Sequence, residues 1–218
     1  MEMNRLVVLL GRIASIGVVL FLLAVFALHV LSPGFNPVKQ FISAYALGSY
    51  GAVASIAFLV QGLSWILLGI ALSQGLARPG LSIVGLVLLF VSGVEYILFG
   101  IFPMDPDPQM PTTLAGTIHF GAGLLFLVTG GLFPLLLALR FKNDERTKPI
   151  YGVALGLGIA ALAVDVVGFL LTGAGVEGLT QRLYVALLTT WVLLVALRMT
   201  STGAEAGQTE AVQRISPS

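Results

Sequence analysis

Long apolar runs, each closed by a short polar or helix-breaking cluster, dominate the pattern of this chain. At about 1.5 Å of rise per residue, a helix needs roughly 20 apolar residues to cross about 30 Å of hydrocarbon. Six runs come close to or exceed that length, over residues 6–31, 51–75, 80–102, 115–139, 150–172 and 183–199, the last being the shortest. The breaks between them are Ser32-Pro33-Gly34, Arg78-Pro79-Gly80, Pro103 to Pro111, Lys142 to Pro149, and Gly173 to Arg182. The pattern predicts an all-α polytopic membrane protein, one bundle of six transmembrane helices over residues 1–200 with no second domain. Residues 201–218 are small and polar, with too little apolar surface to offset the entropy of ordering, and are expected to form a disordered cytoplasmic tail. Arg12 interrupts the first run, which is also too long for a signal-peptide core, so that segment is expected to stay as a helix.

Composition agrees: 57% of the 218 residues are hydrophobic and 10% charged, against about 25% charged in soluble domains. A net charge of +1, scattered over short loops, offers no basic face and sets nucleic acid aside as a partner. With no cysteine, the chain has no disulfide, thiolate nucleophile, iron-sulfur cluster or thiolate zinc site. Nine of the eleven Lys and Arg residues lie at the amino terminus, in the second and fourth loops and in the tail, leaving only Lys39 and Arg182 on the opposite side. Positive charge stays inside, so both termini are expected in the cytoplasm of an inner (plasma) membrane, with the first, third and fifth loops outside. No fixed-period repeat or matched pair of broken helices supports a transporter. Gly152 and Gly156 form a small-residue pair on the fifth segment, expected to let a neighbouring helix of the same bundle approach.

Ionisable groups within hydrocarbon are costly and concentrate at functional places. Glu95 and Asp165 each lie about seven residues, or roughly 10 Å, below the outer ends of the third and fifth segments. His29 closes the first segment, His119 opens the fourth, and Gln61 is the deepest uncharged polar residue apart from hydroxyls. Either each acid locks two helices through a buried hydrogen bond, or together these groups line an outward-facing polar cavity, the reading favoured by four ionisable groups at one level.

The external loops add further candidates. Ser43 lies in a stretch, Asn36 to Gly51, whose Phe41 and Tyr45 have the spacing of an interfacial helix; Ser43 as a nucleophile is the sharper alternative, without a nucleophile elbow around it. Asp105 and Asp107 alternate with prolines in an extended turn, where Asp105 could reach back to orient the imidazole of His119. Arg182 either bends inward to pair with Glu95 or Asp165, the expectation for an interior with almost no other cation, or snorkels to lipid phosphate.

Ile-Ser-x-Tyr-x-x-Gly within residues 36–51, Gly-Ile-Phe-Pro-x-Asp at 100–105, Thr-x-His at 117–119 and Gly-Leu-x-Gln-Arg-Leu-Tyr at 178–184 resemble, in order and spacing, the family known as domain of unknown function 998. The resemblance covers nearly the whole chain and implies a six-helix prokaryotic membrane protein, without an activity. A fainter likeness runs to membrane-embedded hydrolases of the alkaline ceramidase type, where a serine, an aspartate and three histidines assemble around zinc. Ser43, Asp105 or Asp165, and His119 would stand in for some of these, but the chain has only two histidines, His29 and His119.

The expected function is therefore that of a membrane protein whose outward polar cavity binds a lipid or small molecule, or of an accessory subunit in a larger membrane complex. The binding residues would be Glu95, Asp165, Arg182, His29 and Gln61. The alternative is a metal-dependent hydrolase of outer-leaflet lipid that uses His119, Asp105 and Ser43. No motif names a cofactor, and two histidines without thiolates predict no tightly held transition metal.

Overall fold

The computed structural model describes the backbone of residues 2–75 and 81–215, and the side chains of residues 5–75 and 83–201. Among the described residues there are six α-helices: α1 (Glu2–Leu31), α2 (Gly51–Gly75), α3 (Leu81–Ile101), α4 (Leu114–Phe141), α5 (Tyr151–Leu170) and α6 (Glu177–Ile215). Each contains a stretch long and apolar enough to cross a membrane. Short 3-10 turns at Ile42–Leu47 and Lys148–Ile150 interrupt the first and fourth connections. The expected break at Arg78-Pro79-Gly80 lies outside the described residues. So do the side chains of the expected tail from residue 202 on, while the helical backbone of α6 continues to Ile215.

α6 starts at Glu177, six residues before its apolar run. An apolar run marks where hydrocarbon begins, whereas a helix begins where its first N–H groups are capped. Here the Glu177 side chain accepts from Gly173 N (2.7 Å) and Gly175 N (3.2 Å), closing the turn in which both glycines have positive φ. Arg182 is thereby placed inside the helix instead of at its start.

The helices form a closed ring in chain order, each packed on its sequence neighbours, with α6 returning to α1. Their outward faces are apolar, as at Phe26, Phe169 and Leu170, which suits a lipid surround. Inside, Trp65, Leu68 and Leu72 of α2 meet Phe133, Leu137 and Phe141 of α4 and Leu188, Trp191 and Val195 of α6, all essentially inaccessible. α2 and α3 approach closely at Gly62 and Gly93: a Cβ on Gly62 would lie 2.8 Å from the Ile97 side chain, and one on Gly93 3.0 Å from the Gly62 carbonyl oxygen. This contact sets Gln61 and Glu95, their sequence neighbours, deep in the bundle.

Gly152 and Gly156 correct one expectation. Nothing lies within 4 Å of a Cβ built on either, so the pair faces out of the bundle instead of packing inside it.

Candidate functional site

Polar side chains gather in two places: at the end of the bundle bearing the first, third and fifth connections, called the capped end below, and in the interior.

At the capped end Arg182 is the hub. Its Nε donates to His29 Nε2 (2.9 Å), its Nη1 to the carbonyls of Pro37 (2.8 Å), Gln40 (2.6 Å) and Gly178 (3.0 Å), and its Nη2 approaches Tyr45 Oη (3.4 Å). The guanidinium also lies over the Tyr45 ring, 5.8 Å from its centroid. His29 Nδ1 is 2.6 Å from the Val25 carbonyl. That carbonyl can only accept, so Nδ1 carries the proton and Nε2 is the acceptor for Arg182, which assigns a neutral imidazole. Gln181 Oε1 accepts from Ile42 N (2.7 Å) and Leu179 N donates to Val38 O (2.9 Å). The start of α6 thus fastens the whole first connection.

The expected inward pairing of Arg182 with Glu95 or Asp165 is not what the geometry gives. Its planar fork is engaged at the rim by three carbonyls, an imidazole and the Tyr45 hydroxyl, partners that hold all three nitrogens without moving a charge into the interior.

The third connection is fastened independently. Asp105 accepts from Thr112 N (2.6 Å), Thr113 N (2.8 Å) and Thr113 Oγ1 (2.7 Å), while Thr113 Oγ1 accepts from Gly116 N (2.9 Å) as the N-cap of α4. The Thr113 N–H, then its hydroxyl and the Thr112 N–H, hold the Asp105 carboxyl below the usual carboxylate range. Asp105 therefore does not orient His119 as anticipated. His119 Nδ1 instead bonds the Phe102 carbonyl (2.8 Å), with its ring 4.8 Å from that of Phe99. Ser43 is buried and donates to Met104 Sδ (3.1 Å), joining the first connection to the third.

The interior differs. Glu95, 1% exposed, accepts from Thr129 Oγ1 (2.7 Å) through Oε2, and Ser92 Oγ donates to Thr129 Oγ1 (2.9 Å). Gln61, fully buried, donates through Nε2 to Thr189 Oγ1 (3.1 Å). Beyond these bonds, among the described residues five buried polar atoms have no partner: the acceptors Glu95 Oε1 and Gln61 Oε1, the donors Trp65 Nε1 and Trp191 Nε1, and Tyr96 Oη, which can do either. They come from α2, α3 and α6. Aromatic rings surround them, Tyr96 lying 4.9 Å from Trp65, 5.1 Å from Phe126, 5.8 Å from Phe99 and 6.2 Å from Phe58.

Three consecutive residues of α4 reach three helices. Thr129 bonds Glu95 of α3, Gly130 makes room for the Tyr184 hydroxyl of α6, and a Cβ on Gly131 would lie 3.6 Å from Asp165 Oδ2 of α5. Successive helical residues point about 100° apart, so a Thr-Gly-Gly run serves three neighbours at one level. Pro134 follows and withholds an N–H from the Gly130 carbonyl. Asp165 is half-buried, and neither it nor Glu95 has a cationic partner among the described residues.

The structure therefore brings Glu95 and Gln61 into one interior, leaves Asp165 beside it, and sends His29, Arg182, Ser43, Asp105 and His119 to the cap. Thr129, Thr189, Tyr96, Trp65 and Trp191 complete the interior and were not singled out from sequence. Hydroxyls and indole N–H groups at mid-membrane depth are the signal that was available. Among the described residues no three His, Asp or Glu side chains gather as metal ligands would.

No curated protein and no solved structure matches the chain. Residues 15–198 match the family model described as "Protein of unknown function (DUF998)", and with that match over most of its length the chain belongs to this family.

Proposed function

We propose that the protein is a multi-pass plasma-membrane protein, with both termini cytoplasmic and the capped end outside, whose interior binds a small molecule. One observation carries this reading: the five buried polar atoms that no group among the described residues satisfies. In hydrocarbon surroundings an unpaired donor or acceptor costs several kcal/mol. Two acceptors, two donors and a hydroxyl, set among rings, have the composition of a ligand site, in which mostly apolar walls carry a few polar groups. The nine-to-two division of basic residues supports the orientation, and lipid is the proposed partner of the apolar outer belt.

Native mass spectrometry of the protein released gently from nanodiscs tests the site. A bound mass is expected on the parent and absent from the Glu95→Gln/Gln61→Leu double variant; identical spectra would refute the reading. Reporters fused after Ser218 and inserted near Asp107 test orientation, the first active only in the cytoplasm and the second only outside.

Membership of a larger membrane complex has the outward Gly152 and Gly156 of α5 in its favour, and the same spectra would reveal co-purifying chains. The hydrolase reading has no comparable support. Ser43 is bonded to Met104, His119 to Phe102, and Asp105 to Thr112 and Thr113, with no bond between any two of the three.

A further inference from the structure

We infer that the interior ligand is a small organic ammonium ion that also carries an acceptor oxygen, the chemistry of an amino alcohol. The inference rests on the ligand-site reading above and follows from matching each free atom to its complement. Glu95 Oε1 and Gln61 Oε1 are acceptors and call for N–H donors. A carboxylate among rings calls for those donors to be positively charged, and the chain supplies no such charge to Glu95 among the described residues. Arg182, the cation expected from sequence to turn inward, is committed to His29, Tyr45 and three carbonyls at the cap.

The aromatic setting favours the same charge. Trp65, Phe126, Phe99 and Phe58 pack around Tyr96, and ring faces attract ammonium groups through their quadrupoles. Tyr96 Oη can accept from an ammonium, but Trp65 Nε1 and Trp191 Nε1 can only donate, and an oxygen on the same ligand supplies the acceptor they lack.

The chain's two tryptophans, Trp65 and Trp191, both belong to the cluster, so intrinsic fluorescence reads this site without a label. Full-length protein in phosphatidylglycerol nanodiscs would be titrated with ethanolamine, with ethylamine, which lacks the oxygen, and with ethylene glycol, which lacks the charge. Ethanolamine is expected to give a saturable emission shift at concentrations at least tenfold lower than either analogue. Glu95→Gln should weaken ethanolamine at least tenfold while leaving the response to glycol unchanged, and Gln61→Ala should weaken it by a smaller factor.

A parallel set of discs containing phosphatidylethanolamine separates the two sources of this chemistry. A shift produced by free ethanolamine assigns a soluble ligand. A shift seen only on adding that lipid assigns its headgroup, with the ammonium recognition intact. Equal responses to glycol and ethanolamine, or an unchanged ethanolamine response in a folded Glu95→Gln, would overturn the ammonium assignment while leaving a ligand site standing. Silence towards every compound and lipid would overturn the assignment together with the ligand-site reading. Circular dichroism of each variant establishes that it is folded, and Gln61→Ala supplies the comparison if Glu95→Gln is not.

Discussion

The capped end and the interior hold similar numbers of polar side chains and treat them in opposite ways. At the cap the named groups are answered: Arg182 by five acceptors, Asp105 by two backbone N–H groups and a hydroxyl, and both histidines by carbonyls. In the interior, Glu95 and Gln61 are each half answered, and the indoles and Tyr96 not at all. Satisfied polar networks fix a conformation, whereas unsatisfied buried groups carry a free-energy cost that a bound water, ion or ligand can offset. The ionisable residues that look most like chemistry in the sequence, His119, Asp105 and Arg182, act as fasteners, whereas the proposed site joins one carboxylate, Glu95, to uncharged polar groups.

The contrast breaks first at Arg182. Arg182→Ala removes donors from three carbonyls and from His29, and should cost about 2 to 4 kcal/mol, read as a lower Tm in detergent. Arg182→Lys should recover little of this, because one ammonium cannot span that fork. Nor should Glu95→Gln or Asp165→Asn in the same chain restore stability, since neither acid is its partner; rescue by either would return Arg182 to the interior.

Gly178 comes next. A Cβ there would meet the Gln40 carbonyl and lie 2.7 Å from that of Pro37, the oxygens that Arg182 holds. Gly178→Val should destabilise by about 1 to 3 kcal/mol and raise proteolysis between residues 36 and 50.

Asp105 gives a smaller, pH-dependent effect. Its folded carboxyl titrates below the ordinary value of 3.8, held there first by Thr113 N–H and hydroxyl and then by Thr112. A depressed folded pKa contributes stability that is complete above the unfolded value and is lost as pH falls through the folded one. Melting curves of the parent minus those of Asp105→Asn should therefore be flat above about pH 5 and converge as pH drops below about 4.

The smallest stability effect belongs to the residue proposed to matter most for binding. Glu95→Gln keeps an oxygen for Thr129 and removes a carboxylate that no protein cation balances, so Tm should change by no more than the equivalent of about 1 kcal/mol.

Membrane thickness makes the spans legible, since any run that fills hydrocarbon must be apolar, and all six helices lie where the runs are. Helix rotation is another matter. When every face is apolar, periodicity cannot tell the interior from the lipid side, so the sequence alone neither turns Gly152 and Gly156 outward nor marks Trp65, Trp191 and Thr129 as interior. The cap was misread for a different reason. The partners of Arg182 and His119 are backbone carbonyls, present at every position and invisible to any pattern of side chains. Glu95 and Gln61 could be found from sequence because a carboxylate or amide at mid-membrane depth is rare whatever its rotation.

The central claim, that the cap locks the bundle and the interior binds, is tested most directly by melting Arg182→Ala and Glu95→Gln side by side with and without ethanolamine. A ligand that binds only the folded state raises its Tm. The account predicts that Arg182→Ala starts well below the parent and keeps the ethanolamine-induced rise, whereas Glu95→Gln starts beside the parent and loses it. The reverse assignment, with Glu95→Gln unstable and Arg182→Ala the variant that no longer responds, would contradict it.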